Sequence, residues 1–147
     1  MNADHFLRTI VVPTVDEYAA EQDSVRRAFL ACVVAYHMTD HMEGRKHQRQ
    51  VLAKARANCP SFLVVDRVAH ALKHTETGGP NGPIKPLKAD HIKSRPPAIF
   101  GKAVFGLSVF GDGTGGVNIA GAMEANLLRE LRAVIAYFEN EIATQRL

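Results

Sequence analysis

The stretch "GAMEANLLRELRAVIAYFENEIATQRL", residues 121–147, decides the fold class of this chain. Its apolar residues recur at three- and four-residue intervals, at Leu127, Leu131, Val134, Phe138 and Ile142. This spacing is typical of one face of an amphipathic helix, and an apolar face of this length needs other helices to cover it. The segment therefore predicts the last helix of a bundle.

Three more helices are predicted upstream. The stretch "SVRRAFLACVVAYHMTDHM" contains neither Pro nor Gly, and Asp23 or Ser24 can cap its start. Basic residues dominate the next segment, which nevertheless keeps a helical apolar spacing as far as Asn58. Pro60 suits the first turn of a third helix, because the missing backbone donor costs nothing there.

The beginning of the chain gives a weaker pattern. Residues 9–14, "TIVVPT", are predicted to be extended, and Thr14 and Glu17 have the spacing of a capping box that would start a brief helix. We expect this first helix to be short, and we do not count it among the four helices of the bundle.

Between the third and the last helix the composition changes. Residues 75–97 contain five prolines and four basic side chains, and they predict a loop or extended arm. Two apolar segments on either side of "GDGTG" predict a β-hairpin at 98–120. No internal repeat is expected. The sequence thus predicts a mainly α fold, a single domain spanning 1–147, with about four bundled helices and a small β-hairpin inserted before the last.

Composition excludes several classes of protein. Of 147 residues, 46% are hydrophobic and 22% are charged, which is typical of a globular domain and not of a disordered chain. No apolar run is long enough to span a bilayer, and the start lacks the features of a secretory signal. Cys32 and Cys59 have no metal-binding spacing, and we expect reduced, buried thiols. A soluble cytoplasmic protein without a membrane partner is expected.

Charge is unevenly distributed along the chain. Residues 43–102 hold twelve Lys and Arg against four Asp and Glu, a net charge of +8, whereas both ends are mildly acidic. Such a concentration of positive charge favours contact with RNA or with another acidic partner. The same charge could instead pair with the acidic ends within the fold.

The segment "DRVAHALKH", residues 66–74, holds the strongest candidate site. At about 100° per residue, His70 lies about 60° from Arg67 on a helix and His74 about 20° from it, so the three side chains share one stripe. A histidine transfers protons near neutral pH, and a guanidinium binds a phosphate or stabilises developing negative charge. A histidine and an arginine on one face are the smallest set of side chains that a metal-independent ribonuclease needs.

Arg67, six intervening residues and His74 resemble the Arg-x4-6-His motif of the HEPN superfamily, whose members are helical bundles that include many ribonucleases. The resemblance implies that Arg67 binds the scissile phosphate and His74 transfers a proton, with His70 and Lys73 assisting. It also implies RNA as substrate, a homodimer with a cleft between protomers, and no cofactor. Here Val68 follows the arginine, where family members often carry a polar residue. The candidate RNA-binding residues are Lys73, Arg45, Arg49, Lys85 and Lys88.

Two alternatives remain open from the residues. His37, Asp40 and His41 lie within about 100° of each other on the first long helix, and His70 and His74 repeat the four-residue spacing that places two histidines on one metal ion. These five residues would bind Zn or Ni if the two helices pack side by side. The other alternative is a non-enzymatic interaction or regulatory module that uses the basic middle third as its contact surface.

Overall fold

The computed structural model describes residues 1–42, 48–73, 87–119 and 126–145, with the side chains of residues 72 and 73 left out. The described helices are α1 (Ala3–Phe6), a π-helical turn (Leu7–Val11), α2 (Val12–Ala20), α3 (Val25–Met42), α4 (Gln48–Asn58), α5 (Pro60–Lys73) and α6 (Leu127–Gln145). A short 3-10 turn (Ala89–His91) leads into strand β1 (Ile92–Arg95), which pairs with β2 (Gly116–Ile119). The predicted mainly α fold, with a small hairpin before the last helix, is confirmed.

Residues 3–20 form continuous helix, so the extended segment predicted at 9–14 is wrong. Pro13 lies in the first turn of α2, directly after the π-helical turn. Proline lacks a backbone donor and its ring crowds the carbonyl of the preceding turn, and a π-turn widens the helix at such a point. Thr14 does not cap a helix either, because its hydroxyl donates to the Ile10 carbonyl oxygen at 2.6 Å within the helix.

Helices α3, α4 and α5 lie close to their predicted positions. Ser24 caps α3, accepting a hydrogen bond from the Arg27 backbone N–H at 3.4 Å, and Pro60 is the first residue of α5. Helical spacing predicts that Val25, Phe29, Val33 and Tyr36 form the buried stripe of α3, and this prediction is wrong. The buried face consists mainly of small or flexible residues: Ala28, Ala31, Cys32, Ala35, Met38, Thr39 and Met42. Small side chains let α5 approach α3 closely, and this approach brings their polar groups together.

Helix α6 closes the core. All five residues of its predicted apolar face are buried, at 7% exposure or less. Phe138 meets Phe62 of α5 edge to face, with ring centroids 6.0 Å apart, and this arrangement is favourable for aromatic pairs. The apolar face thus covers α5 and holds that helix in place.

The hairpin is antiparallel, with Ile92 opposite Ile119 and Arg95 opposite Gly116. Its first strand lies within the segment 75–97 that was predicted to be a loop or arm, so the predicted hairpin bounds of 98–120 are wrong for that strand. Residues 99–111 form turns instead of a strand, because glycines with positive φ interrupt them every five residues, at φ of 79°, 79° and 84°.

Both cysteines are free and buried, as predicted. Burial raises the pKa of the Cys32 thiol far above its ordinary value, and burial also raises the pKa of Cys59. The two thiols therefore stay protonated and act as small apolar side chains. In the part of the chain that the structure describes, no helix is long and apolar enough to cross a membrane.

Candidate functional site

A buried carboxylate lies at the centre of the candidate site. Asp66 of α5 has no solvent exposure, and its Oδ2 accepts a hydrogen bond from Arg56 Nε of α4 at 2.7 Å. Burial of a carboxylate is costly unless a charged donor compensates it. The Arg56 side chain is 28% exposed, so its guanidinium neutralises Asp66 from the solvent side.

The same carboxylate lies against the imidazole of His70, one helical turn later. His70 Nδ1 lies 2.8 Å from Asp66 Oδ1 and 2.9 Å from the Asp66 main-chain oxygen. The geometry at Nδ1 fits a hydrogen bond to the Asp66 main-chain oxygen. No donor among the described residues is aligned with Oδ1, so the carboxylate lies close to the ring without a hydrogen bond to it. Together these contacts engage the Nδ1 side of the ring and restrict the orientation of the imidazole.

Tyr36 of α3 lies against the other side of this arrangement. Its ring meets the His70 ring edge to face at 4.9 Å, and it stacks on Phe62 at 6.2 Å. Burial, and after it the nearby Asp66 carboxylate, raise the pKa of the Tyr36 phenol above its ordinary value. The phenol is therefore neutral at physiological pH, and its ring restricts the orientation of the imidazole.

A second carboxylate–imidazole pair continues from Tyr36 along α3. The Tyr36 and His37 rings meet edge to face at 5.5 Å, and His37 Nδ1 lies 2.6 Å from Asp40 Oδ2. The Gln48 amide of α4 donates to the other oxygen of Asp40. Three helices thus contribute to one partly exposed group of polar side chains, which we call the polar cluster: Tyr36, His37, Asp40, Gln48, Arg56, Asp66 and His70.

Arg67 follows Asp66 on α5 and is partly exposed. Its Nε is buried and has no hydrogen-bond partner among the described residues, and no described carboxylate pairs with its guanidinium. A guanidinium that is not committed to a carboxylate can bind an anion. His74, the second residue of the predicted motif, lies outside the described residues, as does the Lys73 side chain.

The predicted metal ligands are only partly brought together. His37 and Asp40 are in contact, and Tyr36 links them to His70. His41 makes separate contacts: its ring stacks on Phe6 with centroids 4.0 Å apart, and its Nδ1 lies 3.2 Å from the Met1 main-chain oxygen. Where side chains are described, no three His, Cys, Asp or Glu residues are grouped as metal ligands.

The predicted RNA-binding residues are described only in part. Arg49, on α4, and Lys88, just before the 3-10 turn, are both exposed. Arg45 and Lys85 lie outside the described residues. The two exposed side chains supply positive charge on elements that adjoin α5 or the hairpin.

Sequence reasoning missed the roles of three residues. Tyr36, Arg56 and Asp66 are absent from the predicted site residues. The available signal was the four-residue spacing of Asp66 and His70, which places a carboxylate and an imidazole one turn apart. The packing of α4 on α5, which supplies Arg56, was not visible from the sequence.

A cavity of about 750 Å³ lies beside the hairpin and contains no residue of the polar cluster. Tyr18, His91, Arg95 and Leu127 contribute to its wall. Arg95 is paired with Asp112 at 3.0 Å, and His91 Nδ1 accepts from the Lys88 backbone N–H at 3.4 Å. Arg95 and His91 thus already have partners, and the buried Asp66 carboxylate beside His70 makes the polar cluster the stronger candidate for chemistry.

The chain matches no family model, no curated protein and no solved structure. The candidate site is therefore defined by its geometry and by the motif in its sequence.

Proposed function

We propose that this protein binds RNA and cleaves it without a metal ion, using the polar stripe of α5. The observation that carries the proposal is the buried Asp66 carboxylate 2.8 Å from His70 Nδ1, held in place by Arg56. A carboxylate close to a ring nitrogen of an imidazole is a recurring arrangement in general acid–base catalysis. The adjacent Arg67, with no described carboxylate partner, supports the same reading.

The reaction proposed is transfer of the RNA phosphoryl group to the neighbouring ribose hydroxyl. One imidazole takes the proton of the 2′-OH, whose oxygen attacks phosphorus, and the bond from phosphorus to O5′ breaks. A second imidazole gives a proton to the departing O5′, so the products are a 2′,3′-cyclic phosphate and a free 5′-OH. Arg67 stabilises the negative charge on the phosphoryl oxygens.

His70 and His74 are the proposed pair of imidazoles. They are four residues apart in the sequence, and helical spacing predicts both on the stripe of Arg67. The contribution proposed for His74 rests on this spacing and on the resemblance of the motif. Proton transfer by a positioned histidine accounts for about 10²- to 10⁴-fold in rate.

RNA binding would draw on the positive charge of residues 43–102, including the exposed Arg49 and Lys88. We expect affinity to fall as salt concentration rises, because Lys and Arg release counterions from the phosphates they contact. We also propose that the protein acts in the cytoplasm and as a homodimer.

The test is cleavage of a labelled single-stranded RNA in excess EDTA by wild type and by Arg67→Ala, His70→Ala and His74→Ala proteins. Each substitution is expected to lower kcat by at least about 10²-fold. His5→Ala, which removes an exposed histidine of α1, is the matched control and should keep the wild-type rate. Full activity in both Arg67→Ala and His74→Ala proteins would overturn the proposal, as would absence of cleavage by wild type.

Asp66 is proposed to position His70, so its replacement needs a different readout. Asp66→Asn should lower kcat while leaving KM for RNA nearly unchanged, because Asp66 is fully buried and cannot contact the substrate. The variant's circular dichroism spectrum must match the wild type at the assay temperature. A rise in KM with an unchanged kcat would contradict the positioning role.

A further inference from the structure

Residues 99–111 contain a five-residue repeat, although no internal repeat was expected. The unit is a β-branched residue, a phenylalanine and a glycine: Ile99-Phe100-Gly101, Val104-Phe105-Gly106 and Val109-Phe110-Gly111. The three units share a hydrogen-bonded turn with glycine at positive φ, and the first two have a second backbone bond to the same carbonyl oxygen. The repeat is short enough to be mistaken for the alternating pattern of a strand, which explains the wrong hairpin boundary.

Each unit is a tight turn. The backbone N–H of the residue after glycine donates to the carbonyl oxygen of the β-branched residue, at 3.1, 3.0 and 3.0 Å in the three units. Only glycine has a positive φ in each unit, which is the geometry of a type II turn with phenylalanine at its second position. This position directs a side chain away from the turn, so the repeat presents three aromatic rings in succession.

The three rings are completely exposed. Relative exposure is 105% for Phe100, 107% for Phe105 and 102% for Phe110, and Ile99, Val104, Leu107 and Val109 are between 41% and 55% exposed. An aromatic side chain buries about 150 to 250 Å² when covered, so the rings alone offer roughly 450 to 750 Å². With the aliphatic neighbours this approaches the roughly 800 Å² that each partner contributes to a standard interface.

The segment is complementary to itself. Beside each exposed ring lies a glycine, and a Cβ built on Gly101, Gly106 or Gly111 would meet nothing within 4 Å. Projecting rings and open glycine surfaces therefore alternate with the same five-residue period. If two copies run antiparallel about a twofold axis through the middle turn, each ring of one copy lies over a glycine of the other.

Charge favours a second copy over a phosphate-bearing partner. Between residues 98 and 111 the sole charged side chain is Lys102, so the segment lacks the basic residues that accompany aromatic groups in nucleic-acid and anionic-lipid sites. Two copies would meet with a single positive charge each, which can stay at the polar rim.

We propose that residues 99–111 form a homodimer interface, in which Phe100, Phe105 and Phe110 of one copy pack over the glycines of the other. The interface is distinct from the α5 site and does not rest on RNA cleavage. It predicts a twofold arrangement with the Phe105 turns at the axis. Phe100 of one copy then lies closest to the Phe110 turn of its partner.

The first test is sedimentation equilibrium of wild type and of Phe105→Ser over a wide concentration range. Wild type is expected to dimerise, and Phe105→Ser to raise the dimer dissociation constant by about thirty-fold or more, as expected for a central aromatic residue. Because the ring contacts nothing in the monomer, the variant should keep the wild-type helical content. Leu30→Ser, which removes a 39% exposed leucine of α3, is the control and should dimerise normally.

The second test uses thiol cross-linking with bis-maleimidoethane to determine which turns of the two copies lie close together. Phe105→Cys should form covalent dimers with itself, whereas Phe100→Cys and Phe110→Cys should do so efficiently only when mixed. Wild type is the control, because Cys32 and Cys59 are buried. A monomeric wild type at all concentrations would overturn the proposal, whether or not the segment then bound phospholipid vesicles or RNA. So would a dimer that Phe105→Ser leaves intact.

Discussion

Replacement of Asp66 by asparagine is expected to destabilise the fold by about 2 to 3 kcal/mol. Asp66 is fully buried and accepts a charge-assisted hydrogen bond from Arg56 at 2.7 Å. Removal of one partner of a buried pair costs about 3 to 5 kcal/mol when the other charge is left without solvent. Arg56 is 28% exposed and regains some hydration, which places the expected loss below that range.

Urea unfolding followed by circular dichroism measures this loss. For a chain of this length, 2 to 3 kcal/mol also corresponds to a fall in Tm of roughly 6 to 12 °C. Asp16→Asn, at an exposed position of α2, is the control and should change stability by less than about 0.5 kcal/mol. The double variant Asp66→Asn/Arg56→Gln should lose less free energy of unfolding than the sum of the losses in the two single variants, because each single variant disrupts the same pair.

An unchanged stability of Asp66→Asn would refute this reasoning. It would mean that the Asp66 carboxylate and the Arg56 guanidinium do not stabilise the folded protein as a pair. Additive losses in the double variant would show that Asp66 and Arg56 are not energetically coupled. In either case Asp66 would be unsuited to orient His70, and the proposed function would lose its main support.

Three further predictions concern the hairpin and the core. Gly115→Ala should lower the free energy of unfolding, measured by urea titration, by about 2 kcal/mol or more. Gly115 has a φ of 69°, and a Cβ there would lie 2.6 Å from a carbonyl oxygen of β1. Gly113→Ala is the control and should be nearly neutral, because a Cβ at Gly113 would meet nothing within 4 Å. A hydrogen bond from the Thr114 backbone N–H lowers the pKa of Asp112 below its ordinary value of about 4. The ionised Asp112 carboxylate therefore stabilises the fold above about pH 4. This stabilisation is lost as the pH falls through the pKa that Asp112 has in the folded protein. Asp112→Asn should therefore be less stable than wild type near neutral pH, and the difference should shrink toward pH 3; a constant difference would contradict the assignment. Leu131→Ala should cost about 2 to 5 kcal/mol in urea unfolding, since Leu131 has no exposure, and a loss below about 1 kcal/mol would show that it lies outside the core.

Local periodicity explains why most helices could be predicted. The apolar face of α6 and the start of α5 at Pro60 depend on residues within a few turns of each other, so the sequence carries their signal directly. The buried face of α3 was harder to predict. It is made of alanines and methionines, whose burial depends on how closely α5 approaches.

The hairpin and the first helix show what local patterns miss. Strand β1 pairs with a strand more than twenty residues away, and the four-residue segment Ile92–Arg95 has little pattern of its own. Residues 9–14 were predicted to be extended, but they are helical, and the π-helical turn before Pro13 accommodates its ring. The repeated turns at 99–111 looked like a strand because β-branched and aromatic residues favour strands, while the glycines that follow them decide the backbone.

The candidate site also could be predicted only in part from the sequence. The stripe that holds Arg67 and His70 follows from helical geometry, and it was predicted. The contacts of Arg56 and Tyr36 with Asp66 and His70 arise from tertiary packing of α3, α4 and α5, which sequence spacing does not encode. Most of the interactions that stabilise the site therefore could not be predicted without the structure.

Identification of the RNA ends produced in EDTA tests the central claim most directly. Mass spectrometry of a short single-stranded RNA after incubation with wild type should show 2′,3′-cyclic phosphate and 5′-OH ends, because the proposed reaction uses the ribose hydroxyl as nucleophile. His74→Ala should form these products at least about 10²-fold more slowly than wild type, and His5→Ala should form them at the wild-type rate. Intact RNA, or fragments with 5′-phosphate and 3′-OH ends, would contradict metal-independent cleavage by the α5 site.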